Sequence, residues 1–547
     1  MASESIPITD WLLGPARGGS GKLWPRWLWL RALGVIFFSA FYSYAFQVPG
    51  LIGPKGILPA GEYLKTVGEH LGASRFWYAP TLLWLGSGPV ALKAVWIAGL
   101  AASLLLVFNF WPRAAIASCF VAYLSFVSVG QDFSSYQSDG MLLAAGFLSF
   151  FVAPPGLRPR MGRDHPPSRA SLFMLQWLWF RIYFESGLVK LGSHDPQWRH
   201  LTALDQYYQN GPLPNWIGWY AQQLPHGFQA AIALYTLIIE LGIVWSLFLP
   251  RPLRLVCFFI VTPFQIGIIL TANLAFLNHL VLALGVLLLD DKFILGARDR
   301  VRMVVGRAGA APEPPANPPY GWVASAADGA GSSHKALPDA GHWAVLRHGL
   351  SRVVPAVILG WIFYATVVEL LMMYLPQPPL PLEPVVALEP FRIAEQYGLF
   401  AVMTSARYEI EFQGSNDGRV WVTYPFRYKP QRLHEAPRIY APYQPRFDWN
   451  LWFASLGAWR ENPWVVRTEV RLLENNPDVL TLFAGNPFAK APPTEVRAVE
   501  WQYWFTDLKT RRASGEWWRR KSRGLYAPVI ELGADGKPAV VEWPGQP

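Results

Sequence analysis

Long apolar segments separated by short polar stretches dominate the first two thirds of the chain. A helix that crosses a bilayer needs about 20 mostly apolar residues, and the hydrophobic pattern predicts nine such helices. The predicted spans are residues 27–46, 90–108, 114–130, 138–153, 171–191, 228–249, 253–271, 272–289 and 353–375. We therefore expect an all-α polytopic membrane bundle of about eight spans over residues 27–300, and a last transmembrane helix within 351–376.

A different pattern begins after the Pro-rich stretch 376–384. Apolar and polar positions alternate on both sides of the turn signal Ser415-Asn416-Asp417-Gly418, which is typical of a β-hairpin. Asp448 and Asn462-Pro463 each precede helical spacing and are start signals for helices. The predicted elements are a hairpin at 408–426, helices at 448–457 and 463–475, and a strand at 499–507. Residues 385–547 are thus predicted to form a globular domain, mixed and β-rich (β-sandwich-like) with added helices.

Composition and charge placement favour a membrane protein with a defined orientation. Only 15% of the residues are charged, against about 25% in soluble domains, and 52% are hydrophobic. Much of the net charge of +10 lies before the first span and in two loops that fall on the same side, which the positive-inside rule assigns to the cytosol. Residues 1–26 are therefore expected in the cytosol, residues 301–350 as a disordered cytosolic linker rich in Ala, Gly and Pro, and the C-terminal domain on the exported side. These basic residues indicate membrane topology rather than a nucleic-acid partner.

The chain lacks the local motifs of common enzymes and metal sites. Cys119 and Cys257 both lie in apolar segments, so no disulfide is expected in the exported parts. No GxSxG elbow, phosphate-binding loop or dinucleotide fingerprint is present, and no cofactor is predicted. The loop 192–227 contains several metal-ligand residue types without helical ligand spacing, and we predict no metal site there. They are His194, Asp195, His200, Asp205 and His226.

Three charged residues in the fifth predicted span are the most informative feature of the membrane half. A charge near the centre of a bilayer helix costs about 2.5–3.5 kcal/mol on insertion scales, so it usually faces other helices or a wet cavity. Arg181 and Glu185 are four residues apart and are predicted to pair on one helix face. Lys190 lies about half a turn away from that pair. It is expected either to extend to the membrane interface or, when desolvated, to act as a base.

Other ionisable residues fall within the predicted spans: Glu240, His279 and Glu369. They either line a polar cavity with the fifth span or pack between helices. Asp139 is predicted to mark the start of the fourth span. The aromatic residues of loop 192–227 are expected to form an interfacial belt, which is compatible with a surface for a partner. The basic tail at 511–523 is assigned to anionic lipids or an acidic client.

Long motifs in both halves resemble the lipase maturation factor family. In the membrane half these are YQSDGMLLAAGFLSFFVAP at 136–154, FRIYFESGLVKLGSHDPQWRHLTALDQYYQNGPLPN at 180–215 and WY…LP at 219–225. In the C-terminal half they are EFQGSNDGRVW at 411–421, APYQPRFDWNLWFASLG at 441–457, NPWVVR and RLLEN within 462–475, GNPF at 485–488 and GEWWRR at 515–520. The resemblance covers most of residues 25–300 and 385–525 in order.

This resemblance implies a non-enzymatic folding factor whose exported parts help secreted, dimeric lipases fold and assemble. It implies the endoplasmic reticulum membrane for a eukaryotic chain. The composition, heavy in Arg, Trp and Pro, suggests a bacterial member, for which the cytoplasmic membrane is expected and the client stays open. Ala144 stands where the family pattern has a Glu, so any role of that carboxylate is absent. Within the matching motifs, the candidate client-binding residues are Trp198, Arg199, Asp205, Tyr207, Asn416, Asp417, Trp421, Arg446, Asp448, Trp449 and Trp452.

A shorter stretch resembles a different class of membrane protein. Residues 186–198 are similar to the transmembrane domain of the vitamin K-dependent carboxylases, in which a lysine at the position of Lys190 is the proposed base. The alternative hypothesis is therefore a membrane enzyme that uses Lys190 on a lipid-soluble or membrane-proximal substrate. The hairpin also resembles discoidin-like β-sandwich domains. The leading hypothesis remains a folding factor with membrane lipids and a lipase-like client as partners.

Overall fold

The computed structural model describes residues 21–306, 342–375 and 377–545 of the chain. Within residues 21–306 the structure contains fifteen α-helices. They are α1 Leu23–Ala45, α2 Val48–Ile52, α3 Ala60–Leu71, α4 Arg75–Tyr78, α5 Pro89–Val107, α6 Pro112–Val129, α7 Gln137–Val152, α8 Arg169–Gly192, α9 Pro196–Arg199, α10 Tyr207–Asn210, α11 Trp216–Gln222, α12 His226–Leu241, α13 Arg251–Thr271, α14 Leu277–Gly285 and α15 Asp291–Gly306. After the undescribed segment, α16 is His342–Met372.

Each segment predicted to span the membrane contains a helix within the described residues, although the helix of the segment 272–289 begins only at Leu277. Five helices are long and apolar enough to cross a bilayer, namely Leu23–Ala45, Pro89–Val107, His226–Phe248, Arg251–Thr271 and Val353–Met372. Three shorter apolar helices are Pro112–Val127, Gln137–Val152 and Leu277–Leu288. The remaining predicted span corresponds to α8, whose charged residues make it less apolar than the others. The structure therefore supports several apolar helices in this half, with five clear candidates for spans.

Glycines allow the first helices to approach closely. A Cβ on Gly99 of α5 would lie 2.3 Å from the ring of Phe41 in α1, and one on Gly34 of α1 would lie 2.9 Å from Val107. Small residues at such crossings bring helix backbones together, and van der Waals packing then holds them in an apolar solvent. Close packing at a glycine also occurs where Gly187 of α8 faces Glu240 of α12.

Helices reach into both ends of the predicted linker. The helix α15 continues to Gly306 and α16 begins at His342, and disorder of the linker stays a prediction. Residues 307–341, on which the rest of that prediction falls, lie outside the described residues, as do residues 1–20 of the predicted cytosolic N-terminus.

The C-terminal domain contains one sheet and a set of short helices. Its elements are α17 Glu383–Val386, β1 Arg407–Ser415, β2 Val422–Thr423, α18 Arg446–Ala454, α19 Trp464–Leu473, α20 Pro477–Leu480, β3 Glu495–Phe505, α21 Leu508–Ser514, β4 Trp518–Leu525, β5 Val529–Leu532 and β6 Pro538–Glu542. The strand order is β2-β1-β3-β5-β6, with β4 also paired to β3, and all pairs are antiparallel. The helices α18 and α19 pack against the sheet around Phe412, Phe447 and Trp464.

The domain differs from the predicted β-sandwich. The described residues form a single sheet covered by helices, so two facing sheets are absent from this part of the chain. Two aromatic-rich helical segments supply the second layer, and a helix buries the apolar face of a sheet as well as another sheet would. The predicted hairpin is confirmed by the pairing of Gln413 with Thr423. Asp448 lies inside the first turn of α18 rather than capping it.

Candidate functional site

The two halves of the chain meet through a buried ion pair. Arg446, at the start of α18, donates from Nη1 and Nη2 to the two carboxylate oxygens of Asp139 at 2.8 Å each. Both side chains are fully buried. The guanidinium of Arg446 also donates to the hydroxyl of Tyr123 and lies 4.2 Å from the ring centre of Tyr44. Because an arginine presents a planar fork of donors, this bidentate geometry fixes the orientation of the domain as well as its distance from the bundle.

Asp139 therefore does more than begin a helix. It lies in the first turn of α7, as predicted, but its carboxylate accepts from Arg446 and from the Tyr123 hydroxyl at 2.6 Å. Neighbouring contacts reinforce the contact between the halves: the Tyr136 hydroxyl donates to Asn450 Oδ1 at 2.7 Å, and Asn450 Nδ2 donates to the backbone of Asp132. The approach of Arg446, which is distant in sequence, explains how this carboxylate is buried.

A second set of contacts joins loop 192–227 to the sheet. Arg407 of β1 is fully buried and donates to the carbonyl oxygens of Gln209, Gly211 and Pro212. Burial lowers the pKa of this guanidinium, while the neighbouring carboxylate of Glu409 favours its charged form. Asn210 accepts from the indole of Trp452 at 2.9 Å through its backbone oxygen. The loop is therefore fastened to the C-terminal domain, and the interfacial belt of its aromatic residues stays a prediction.

The predicted Arg181–Glu185 pair is present, and it holds the segment that enters the C-terminal domain. Arg181 Nε donates to Glu185 at 2.5 Å, and both side chains are buried. Glu185 Oε2 also accepts from the backbone N–H of Tyr397 at 2.7 Å. The guanidinium of Arg181 donates to the backbone oxygen of Glu395. Residues 395–404, which we name the connecting segment, thus run against α8.

Lys190 does not extend to the membrane interface. Its side chain is 3% exposed, and its ammonium donates to the two carboxylate oxygens of Glu240 at 2.8 and 2.9 Å. The pair lines a cavity of about 440 Å³ between α8, α12 and α13, which we name the inner cavity. Trp198 closes one side of it, with its indole donating to the backbone of Phe400. The prediction that the lysine extends to the interface is wrong because a carboxylate from another helix neutralises it inside the bundle.

The other intramembrane ionisable residues lie apart from this cavity. His279 on α14 and Glu369 on α16 are half-buried, and neither lines the inner cavity. The backbone oxygen of Glu369 accepts from Gln396 of the connecting segment. Of the predicted set, the structure therefore brings only Lys190 and Glu240 together at a cavity.

The histidines and carboxylates of loop 192–227 do not converge. No group of three His, Cys, Asp or Glu side chains suited to a metal occurs in the described ranges 21–306, 342–375 and 377–545. Asp195 caps α9 and accepts from the backbone of Met403, while Asp205 pairs with His226 on the surface.

A groove lies between the bundle and the C-terminal domain. It has a volume of about 550 Å³ and is lined by the connecting segment, by residues 135–138 before and within α7, and by α18 with the residues after it. Val402, Phe453 and Leu456 line it and are exposed, Val402 by 67%. We name it the junction groove. Exposed apolar side chains grouped in a concave surface are typical of sites that bind another molecule.

The candidate client-binding residues divide into two groups. Buried ones, which hold the chain together, are Trp198, Arg446, Asp448, Trp449 and Trp452. Exposed or half-buried ones are Arg199, Asp205, Tyr207, Asn416, Asp417 and Trp421. Asp417 organises the hairpin turn, since its Oδ1 accepts from Arg419 and Val420. The second group is the more exposed one, and Trp449 and Trp452 of the first group line the junction groove.

Sequence reasoning missed the residues that fasten the halves and those that line the groove. Arg407, Asn210 and Val402 were not singled out, because their roles depend on contacts across about 200 positions of sequence. One signal was present: Asp139 is the only charged residue in the motif 136–154 and Arg446 the only cation in the motif 441–457, and buried charges require opposite partners.

Comparisons with known proteins agree with this architecture. Residues 24–296 match the model of the lipase maturation factor transmembrane domain, and residues 393–528 match that of the lipase maturation factor C-terminal domain. Lipase maturation factor 2 of Homo sapiens is 31% identical, covering 94% of this chain and 84% of that protein. Lipase maturation factor 1 of Bos taurus is 30% identical, with coverage of 94% and 91%. No solved structure matches the chain significantly.

Proposed function

The chain belongs to the lipase maturation factor family, and on that premise we propose that it is a membrane-embedded factor that assists the folding and assembly of secreted, lipase-like proteins. The family match extends over both halves, and the contact between them supports a single working unit. The main observation in support of this proposal is the apolar junction groove. It lies between the bundle and the C-terminal domain, which the Arg446–Asp139 ion pair joins to the bundle.

The proposed topology follows from the helix order. With nine crossings and a cytosolic N-terminus, loops 131–136, 193–225 and 272–276 and the C-terminal domain share the exported side. The contacts between the domain and these loops support this arrangement, since Arg446, Arg407 and Asn273 all join elements at that end of the bundle. The membrane would be the endoplasmic reticulum in a eukaryote and the cytoplasmic membrane in a bacterium.

The junction groove is the proposed surface for the client. An incompletely assembled lipase exposes apolar surface, and binding that surface in an apolar groove hinders aggregation while assembly proceeds. The exposed residues Val402, Phe453 and Leu456 supply the apolar contact. The hairpin turn at Asn416 and Asp417 is a second, polar contact candidate on the same domain.

Co-expression with a secreted lipase from the same genome tests the proposal. The host should lack both genes, and the measurement is the specific activity and amount of secreted lipase. Val402→Asp places a charge in the junction groove and should lower active lipase several-fold, because a charge disfavours apolar contact. Val541→Asp is the matched control, since Val541 is 49% exposed on β6, away from the groove.

Two results would overturn the proposal. Equal lipase activity with and without the chain, for every secreted lipase of the genome, removes the lipase client. Equal effects of Val402→Asp and Val541→Asp remove the groove as the client surface, and Val420→Asp then tests the hairpin, where Val420 is similarly exposed.

The alternative enzyme function has less support. The relatives are named as maturation factors rather than as enzymes. The Nζ atom of Lys190 lies within hydrogen-bonding distance of both carboxylate oxygens of Glu240, and this paired geometry is suited to structure or to ligand contact.

A further inference from the structure

The inner cavity contains hydrogen-bonding groups whose capacity is only partly used. Asn278 donates from Nδ2 to Gln265 Oε1 at 2.7 Å, and Gln265 donates from Nε2 to the Tyr183 hydroxyl at 2.6 Å. All three residues line the cavity and are buried, Asn278 being 5% exposed. Asn278 Oδ1 has no partner among the described residues. The hydroxyl proton of Tyr183 has no acceptor in the same part of the chain.

This short chain of hydrogen bonds therefore ends in one free acceptor and one free donor. A buried polar atom left without a partner is energetically unfavourable, so a site of this kind favours a ligand that supplies the missing hydrogen bonds. The ligand needs a hydroxyl or similar donor for Asn278 and an acceptor, such as an ester carbonyl, for Tyr183.

The charge of the cavity selects an uncharged headgroup. Lys190 and Glu240 are the only charged residues in the described lining, and they neutralise each other at 2.8 Å. A phosphate would need an unpaired cation to offset its loss of hydration, and the described lining does not offer one. An uncharged polar headgroup does not need a cation to offset its loss of hydration.

The remaining walls are largely apolar and open to the outside of the bundle. The hydroxyls of Ser186, Thr236 and Thr271, which also line the cavity, donate to carbonyl oxygens of their own helices. Phe228, at the start of α12, lines the cavity and is 47% exposed, and Phe264 and Ile268 line it from α13. Gly267 lies beside them on α13, where a Cβ would meet nothing within 4 Å. A cavity with an apolar opening between two membrane helices is accessible from the lipid phase, and its volume of about 440 Å³ lies within the range of ligand sites.

We propose that the inner cavity binds one acylglycerol, an uncharged lipid that carries a free hydroxyl, an ester carbonyl and an acyl chain. The hydroxyl donates to Asn278 Oδ1, the carbonyl accepts from Tyr183, and the acyl chain lies against Phe228, Phe264 and Ile268. This binding site is separate from the junction groove and does not depend on the proposed client. Residues Leu399 and Phe400 of the connecting segment line both spaces, so an occupied cavity also supports one wall of the groove.

Photocrosslinking of the full chain in liposomes tests this proposal. One probe is a diacylglycerol with a photoreactive acyl chain, and the other is a phosphatidylcholine with the same chain. Labelled peptides are mapped by mass spectrometry. The diacylglycerol should label peptides from α12 and α13 several-fold more than the phosphatidylcholine does.

Two glycine variants supply a matched test of the site. Gly267→Phe fills the cavity from a position with free space and should abolish the labelling. Gly360→Phe is the control, because Gly360 on α16 is equally unobstructed and does not line the cavity. Asn278→Leu, shown by thermal unfolding to be folded, should reduce labelling by about fivefold, as loss of one hydrogen bond predicts.

Other outcomes would overturn the proposal. One such outcome is that the diacylglycerol labels Gly267→Phe as strongly as it labels the wild-type chain. The other is that the diacylglycerol and the phosphatidylcholine label α12 and α13 equally. Since lipase activity is not measured, failure of the client proposal leaves this result unaffected.

Discussion

At the residue scale, two buried ion pairs join residues that are far apart in sequence. Lys190 pairs with Glu240, and Arg446 with Asp139, each at 2.8 Å. Removing one member leaves an uncompensated buried charge, which costs about 3–5 kcal/mol, whereas replacing both by apolar groups is often nearly neutral. Such pairs therefore specify which helices and loops adjoin more than they add stability.

Asp448 gives the C-terminal domain a pH-dependent stability. Burial raises the pKa of this carboxyl from its usual range to about 7, although backbone N–H groups of Tyr428 and Lys429 donate to it. Between the unfolded pKa and about 7 the folded state binds more protons than the unfolded chain, so stability falls as pH rises through that window. The slope is at most about 1.4 kcal/mol per pH unit. Thermal unfolding of the full chain from about pH 5 to about pH 8 measures it.

The substitution Asp448→Asn keeps the acceptor oxygen and removes the titration. It should raise the unfolding temperature progressively more as the pH increases. Asp417→Asn is the control, because backbone N–H groups of Val420 and Arg419 lower the pKa of this exposed carboxylate and it does not titrate in that window. A constant difference between wild type and Asp448→Asn at all pH values would show that Asp448 remains ionised throughout.

At the element scale, close helix packing depends on particular glycines. The ring of Phe41 is fully buried and contacts Tyr123, so it cannot move away from a new methyl group on Gly99. Gly99→Ala should therefore lower the unfolding temperature, by an overpacking cost of about 1–3 kcal/mol. Phe41→Leu in the same chain should recover part of the loss.

The control for this prediction is Gly360→Ala on α16. A Cβ there meets nothing within 4 Å, and alanine favours a helix over glycine. Its unfolding temperature should equal or exceed that of wild type, and a similar loss in both variants would refute the contact-based explanation.

Elements were predictable where the signal was local. Apolar runs indicated the apolar helices of the bundle but not the polar helix α15, and the turn at Ser415–Gly418 indicated the β1–β2 hairpin, because length and alternation are properties of a single segment. The Arg181–Glu185 pair was predictable for the same reason, since both residues lie on one helix. The sandwich expectation was wrong because a hairpin does not reveal which layer covers its sheet.

At the scale of the whole molecule, contacts between the halves were not predictable. Arg446 and Asp139 are 307 positions apart, and helical periodicity carries no information across that distance. The inner cavity likewise depends on how α8, α12 and α13 pack. The sequence indicated which charges needed partners, and the fold determined which partners they received.

The Arg446–Asp139 pair should govern docking of the C-terminal domain on the bundle. Arg446→Met leaves Asp139 buried without its cation, so it should lower the unfolding temperature and speed protease release of the C-terminal domain, consistent with a cost of about 3–5 kcal/mol. Arg251→Met is the matched control, since Arg251 forms a more exposed ion pair with Asp290 and its loss costs about 0–1 kcal/mol. Adding Asp139→Asn to Arg446→Met should cost less than the sum of the single changes, because it removes the unpaired charge. Equal proteolysis of Arg446→Met and Arg251→Met would mean that Asn273, Arg407 and the connecting segment hold the domain without this pair.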